Sequence, residues 1–128
     1  MGEFGDGATI TGLVAAADLS GKRYHAVRLS AARNVNQASD AAASSIAGVL
    51  LNKPESGQAA TVQYTGMAKV VAGGALTVNV LLSTNGSGRA AATASGDMAF
   101  GRALESAAAD GDIITCLLFH PVRWAGAV

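Results

Sequence analysis

The sequence predicts an all-β fold, a small sandwich or barrel built from an internally duplicated β module, with helix confined to short turns. Three observations carry this. Apolar or alternating runs are short and closely spaced, Gly, Asn, Asp, Ser and Pro bound them, and one spacing occurs twice. Leu29 and Gly48 are nineteen residues apart, and so are Leu82 and Gly101. Shifting the chain by 53 positions lays Val27-Arg28-Leu29-Ser30 on Val80-Leu81-Leu82-Ser83, and Val49-Leu50-Leu51 on Arg102-Ala103-Leu104. At a shift of 54, Gly57-Gln58-Ala59-Ala60-Thr61-Val62 meets Gly111-Asp112-Ile113-Ile114-Thr115-Cys116. Each half reads strand, turn-rich stretch, strand, turn, strand, and two copies are too few for a solenoid.

Taken in order, strands are expected near Ala8–Val14, Arg23–Leu29, Ile46–Leu51, Ala60–Tyr64, Ala68–Val71, Leu76–Leu82, Arg89–Thr93, Ala99–Leu104 and Ile113–Phe119. Lys53-Pro54-Glu55-Ser56-Gly57 and Ala109-Asp110-Gly111 have turn chemistry: Pro pre-sets one φ and Gly supplies a positive one. Asn85-Gly86 is the strongest hairpin signal, and Gly73-Gly74 marks another break. Ala41-Ala42-Ala43 gives Gln37–Ser45 helix propensity, but the duplication sets that stretch on Ala90–Met98, which Gly96 interrupts. Short helical turns there and at Leu104–Ala109 are the expectation.

A chain of 128 residues has room for one domain and one core. The organisation expected is a flexible arm over residues 1–7, a β domain over 8–124 and a tail over 125–128. Half of the residues are apolar, yet Phe, Tyr and Trp together make only 5%, so Ala, Val, Leu and Ile must fill the core. Charged residues make 14%, against about 25% in an ordinary soluble domain. Such a surface suits a protein packed against a neighbour.

Basic and acidic residues balance at nine each, and no basic run is longer than Lys22-Arg23, which argues against a nucleic-acid partner. No apolar stretch approaches the roughly 20 residues of a membrane span. The start Met1-Gly2-Glu3-Phe4-Gly5-Asp6 lacks the basic and apolar regions of a secretory signal. Cys116, the single cysteine, excludes an internal disulfide and fits synthesis in a reducing cytoplasm. Within Ile113–Leu118 it reads as a small core hydrophobe rather than a nucleophile.

Chemistry is sparse. A metal needs three or four converging donors and a nucleophile needs a nearby base, whereas His25 and His120 lie at opposite ends of the chain. Both read as structural residues. Glu105 with Asp110 or Asp112 would make a carboxylate pair, but Asp110-Gly111-Asp112 is first of all a turn. Gly86-Ser87-Gly88-Arg89 lacks the Lys-Ser/Thr that completes a phosphate loop, and Ser87 lacks the spacing of a nucleophile elbow. No enzyme, metal or cofactor is expected. Aromatic residues and Arg are favoured anchors of interfaces, so Arg123 and Trp124 near the C-terminus are candidate contacts.

The runs Ile46-Ala47-Gly48-Val49-Leu50-Leu51-Asn52-Lys53-Pro54 and Gly57–Val62 resemble the capsid cement, or head decoration, proteins of tailed bacteriophages. So do Val70–Leu76, Leu81–Ala90, and Phe100–Glu105 with Ala108–Asp112. The resemblance covers roughly Ala26 to Leu118 and carries no catalytic signature. It implies a structural virion protein that binds the outside of the capsid and stabilises the expanded head. The partner implied is the major capsid protein, the assembly a homo-oligomer, with a trimer favoured. It further implies that an N-terminal arm, here Gly2 to Gly7 with Phe4, joins the capsid contact. The alternative is a virion fibre or receptor- or carbohydrate-binding β module, which would need an aromatic platform; Tyr24, Tyr64 and Trp124 are scattered along the sequence.

Overall fold

The computed structural model describes residues 8–39, 46–94 and 96–123. They form strands β1 (Thr9–Ala15), β2 (Ala26–Ala31), β3 (Asn34–Gln37), β4 (Ile46–Leu50), β5 (Ala59–Gln63), β6 (Gly66–Val71), β7 (Leu81–Thr84), β8 (Ala90–Ala92), β9 (Met98–Ala103) and β10 (Ile113–Arg123). Strands β1 to β5 close into a barrel in the order β1-β3-β2-β4-β5. Strands β6 to β10 form a sheet in the order β6-β10-β9-β7-β8. The all-β expectation holds.

The two sets of five are one topology used twice. Read from the third strand of each set, the order is β3-β2-β4-β5-β1 in the barrel and β8-β7-β9-β10-β6 in the sheet. The parallel β1–β3 pairing that closes the barrel also has a counterpart, a single parallel bridge between Ala72 and Ala90. Individual hydrogen bonds repeat. Ala15 N–H donates to Gln58 O as Ala72 N–H donates to Asp112 O, and Leu19 N–H to Pro54 O as Leu76 N–H to Ala107 O. Leu51 N–H donates to Thr61 O as Leu104 N–H to Thr115 O. Even unusual backbone angles recur: Tyr24 and Asn79 take φ of 66° and 76°, Arg33 and Gly88 take 61° and 77°.

These pairs correct the sequence alignment of the halves. Gly48 and Gly101 are true counterparts, because each sits where a Cβ would strike the crossing strand, at the carbonyl oxygen of Gln63 and of Leu117 respectively. Leu29 and Leu82 are not. Val27 is the residue opposite Gly48, and Leu82 the one opposite Gly101, so the early strands are offset by two further positions. A two-residue slip keeps every side chain on its face of a strand, so hydrophobic pattern alone does not detect it. His25 accordingly matches Val80: their carbonyls accept from Leu50 and Ala103.

Other boundaries also differ from expectation. Strand β3 had no apolar run to announce it; Asn34, Asn36 and Gln37 flank the buried Val35. The segment Leu76–Leu82 is strand only from Leu81, since Leu76 instead bridges Ala107 and Asn79 turns the chain with its positive φ. That same bridge holds Leu104–Ala109 open, so no helical turn forms there. Residues 40–45 of the other helical candidate lie outside the described residues, and Gln37 ends β3. Strand β10 runs past Phe119 to Arg123, with Pro121 inside a register shift between Leu118 and Val122, where its missing N–H costs no ladder bond.

Two apolar cores result. Leu13, Leu19, Val27, Val35, Leu50 and Val62 fill the barrel. The second core gathers Val70, Leu82, Phe100, Ile114, Cys116 and Leu118. Into it also go Ala26, Ala38, Ile46 and Val49, all from the barrel segment. In β2 and β4, therefore, Val27 and Leu50 point into the barrel while their neighbours Ala26 and Val49 seal it against the sheet. Burying a Val or Leu side chain contributes roughly 1.5–3 kcal/mol, and both faces of these two strands contribute.

Candidate interaction surface

The polar side chains mostly serve the protein's own backbone. Asn52 Oδ1 accepts from Thr61 N–H at 3.1 Å, and Glu105 Oε2 takes the equivalent bond from Thr115 N–H at 2.7 Å. That bond holds the Glu105 carboxyl below its ordinary pKa. Gln58 Oε1 accepts from Glu55 N–H, and Asp112 Oδ2 accepts from Ala108 and Ala109 N–H, so both repeats brace the same turn with a side chain. The Glu105, Asp110 and Asp112 carboxylates thus have separate structural partners. Ser87 lies in a turn organised by Asn85 Oδ1, which accepts from the N–H groups of Ser87 and Arg89. Cys116 is buried, and burial pushes its thiol up to about 12. Among the described residues no group of three or more His, Cys, Asp or Glu is placed to hold a metal ion, and no helix is long and apolar enough to cross a membrane.

A polar cluster ties the repeats together. His25 is buried, with Nδ1 3.1 Å from the Arg23 carbonyl and Nε2 3.4 Å from Arg89 Nε. A carbonyl only accepts, so Nδ1 carries the proton and Nε2 accepts from the Arg89 guanidinium. Arg89 also pairs through Nη1 with Asp110 at 2.7 Å. Burial holds the His25 pKa below its ordinary value, and the charges of Lys22 and Arg89 press it the same way. Around this cluster, Ala26 N–H donates to Gly88 O, Val71 N–H to Tyr24 O, and Gln37 Nε2 to Gly86 O. Gln63, buried at the end of β5, donates from Nε2 to the carbonyls of Thr65 and Met67.

The outer face of the second sheet is different in character. Met67 on β6, Leu117 on β10, Arg102 on β9 and Leu81 on β7 are aligned in register across four strands. Met67 and Leu117 are 39% and 42% exposed, and Ile113, on the same face of β10, is 52% exposed. Leu104, whose N–H bonds Thr115, adds a further exposed apolar group. The sequence concealed this face. Ile113–Phe119 is apolar at nearly every position and reads as a strand buried on both sides, whereas only Ile114, Cys116 and Leu118 are buried. The available signal was the contrast with the matching strand Ala59–Gln63, which carries Ala and Gln where β10 carries Ile113 and Leu117.

Of the contacts expected from sequence, Phe4 and Trp124 lie outside the described residues, as do the arm 1–7 and the tail 125–128. The backbone of Arg123 ends β10 opposite Met98. His120, exposed, has Nδ1 3.1 Å from the Pro121 carbonyl, apart from the His25 cluster.

Fold and surface together define a structural β module that presents an open sheet face, where exposed Met67, Ile113 and Leu117 stand among Lys69, Arg102 and Thr115, and commits its carboxylates to turns and strand ends. Residues 6–118 match the family of phage cement proteins, and the chain belongs to that family. It is a structural, capsid-binding protein of a phage virion. Among solved structures, the N base of the head fibre gp8.5 of bacteriophage phi29 is similar, with a TM-score of 0.68 and 20% identity over 89% of this chain and 95% of that one. That likeness bears on the fold. No curated protein matches the chain.

Proposed function

We propose that this protein binds the outer surface of the expanded head, contacts the major capsid protein, and stabilises the shell as a homo-oligomer, with a trimer favoured. The observation that carries this is the family match across both repeats. The physics supports it: a partner that binds only the folded, assembled state stabilises that state by mass action. Many copies on a repeating lattice make modest contacts effective. Phe4 of the arm and Arg123 with Trp124 at the other end are the proposed contact anchors. Synthesis in the host cytoplasm and a role without catalysis complete the reading, consistent with a buried, unreactive Cys116 and carboxylates engaged in turns.

The test is stoichiometric binding of purified protein to expanded and to unexpanded heads of its own phage. Saturable binding to the expanded form, with heads that then resist heat or low ionic strength, is the expected result. Absence of binding to either form defeats the proposal. Binding that persists unchanged in Phe4→Ala and Trp124→Ala variants would leave the capsid role standing and remove these anchors.

A further inference from the structure

The two repeats share a hydrogen-bond frame but differ in what lies against one face of it. In the first repeat, Ala26 and Val49 face away from the barrel core and are 0% exposed, because the inner face of the second sheet covers them. The matching pair in the second repeat is Leu81 and Arg102, on the open side of that sheet, and Arg102 is exposed. Leu117 and Met67 continue this row, and Thr115 and Lys69 form the next one. Val122 lengthens the face along β10. Met98 packs on the core, so its neighbour Ala99 and the residue opposite Ala99, Val122, point outward, and Val122 is 51% exposed.

Charge on this face does not balance. Glu105 Oε2 accepts from Thr115 N–H, and the charge of Lys69 acts on the same carboxyl. Arg102, by contrast, has no acidic partner among the described residues. Contiguous exposed apolar patches mark interaction sites, and an Arg set among apolar groups is a favoured anchor. Both ends of the described chain lie at the border of the face. Ala8, which residues 1–7 precede, is bonded to Tyr64 and Thr65 at 3.0 and 3.2 Å, just ahead of Gly66 and Met67. Arg123 follows Val122 at the end of β10.

We infer that this open sheet face, with Leu117, Met67 and Arg102 at its centre, lies against the major capsid protein, on a surface that offers apolar side chains around a carboxylate for Arg102. The inference rests on the proposed head binding and names the surface that makes it. A second copy of this chain does not fit the place. What covers the matching face of the first repeat is the inner face of the second sheet, which every copy already uses within itself. Two copies joined face to face would close a two-fold pair rather than a trimer, with an unbalanced Arg102 brought from each side. A capsid surface of opposite charge has neither drawback. Strands β10, β9 and β7 each have a neighbour on both sides, so the contact is made through side chains. An apolar patch on the order of a few hundred Å² falls below the roughly 800 Å² per partner of a standard stable interface. The arm and the C-terminal end, which leave the domain at the border of this face, add to it, and the lattice multiplies the contact.

Expanded heads lacking this protein are titrated with the full chain and with Arg102→Glu, Arg102→Lys and Met67→Glu. Circular dichroism establishes folding, and light scattering the oligomeric state. The expected result is saturable wild-type binding and a dissociation constant raised roughly thirtyfold or more in Arg102→Glu and Met67→Glu, the loss that removal of a central anchor brings. Arg102→Lys, which keeps the charge, should bind more tightly than Arg102→Glu, and the oligomeric state should be the same in all. A second measurement decides the matter if a glutamate variant fails to fold. In Leu117→Cys, a maleimide should modify residue 117 quickly in the free protein and slowly on heads, while the wild type stays silent in both because Cys116 is buried. A wild type that does not bind heads removes the head-binding reading and this inference with it. A wild type that binds, with folded variants that bind equally well and a residue 117 that stays reactive on heads, overturns this face and leaves head binding intact. Residue 117 already protected in the free protein, or variants that lose self-association, gives the face to another copy and likewise overturns the inference.

Discussion

The barrel and the second sheet repeat one hydrogen-bond frame, and they fill it by exchanging volumes. Where the barrel has Ala47 and Leu50 on β4, the sheet has Phe100 and Ala103 on β9. The large group has moved to the other end of the strand. Where the barrel closes with a paired β1 and β3, the sheet closes only at Ala72 and Ala90 and is completed by Ala26, Ile46 and Val49 from outside. A duplicated module thus acquires two different settings while keeping one strand order. One copy is sealed on both sides of β2 and β4, and the other is left with an open face.

The largest test of this equivalence is at the paired glycines. Gly48→Ala places a Cβ on the Gln63 carbonyl at a backbone φ of 155° and should cost about 4 kcal/mol or abolish folding. Gly101→Ala meets the Leu117 carbonyl at 2.9 Å without the positive φ, so it should cost less. Chemical denaturation of the two variants checks the order, and a reversal would break the claim that the first copy is the more constrained.

Next come the exchanged core residues. Phe100→Ala should lose about 3–5 kcal/mol and Leu50→Ala about 2–5 kcal/mol, each emptying its own core. Hydrogen exchange should then show protection falling first in the sheet for Phe100→Ala and first in the barrel for Leu50→Ala. Identical loss everywhere would mean that the two cores unfold as one unit.

The junction between the copies should respond to pH. The His25 pKa is lowered by folding, so the folded state binds fewer protons than the unfolded chain below pH 6.5. The stability this contributes is complete above the unfolded value and declines as pH falls through the folded one. Protonation would also set His25 against Arg89. Melting temperatures measured from pH 7 to pH 5 should fall in the wild type and fall less in His25→Asn; parallel curves would remove the residue from the acid response.

The smallest effect concerns Ser83, fully buried in β7 with an Oγ that has no hydrogen-bond partner among the described residues. Ser83→Ala should leave stability unchanged or raise it by about 1 kcal/mol, because an unpaired buried hydroxyl is a cost. A loss of stability on denaturation would show that the hydroxyl is satisfied after all.

Much of the fold was legible in the chain because short periodic runs and turn residues act locally. Asn85-Gly86 does open the β7–β8 connection, the Lys53–Gly57 and Ala109–Gly111 turns stand where their residues put them, and Gly48 matches Gly101. The candidate surface was less legible. Periodicity reports which residues alternate, and Ile113–Phe119 barely alternates, so its exposed half could not be separated from its buried half. The strand Asn34–Gln37 escaped for a related reason, since one Val among amides gives no pattern.

By itself, the sequence determined the class, the turns and the existence of two copies of one module, all consequences of local residue preference and period. Only the tertiary structure decided the two-residue offset between the early strands, which face of each copy is covered, and which charges meet at the junction. Those depend on how one copy is laid against the other. A strand's side-chain period of two leaves both the offset and the covered face open until the pairing is made.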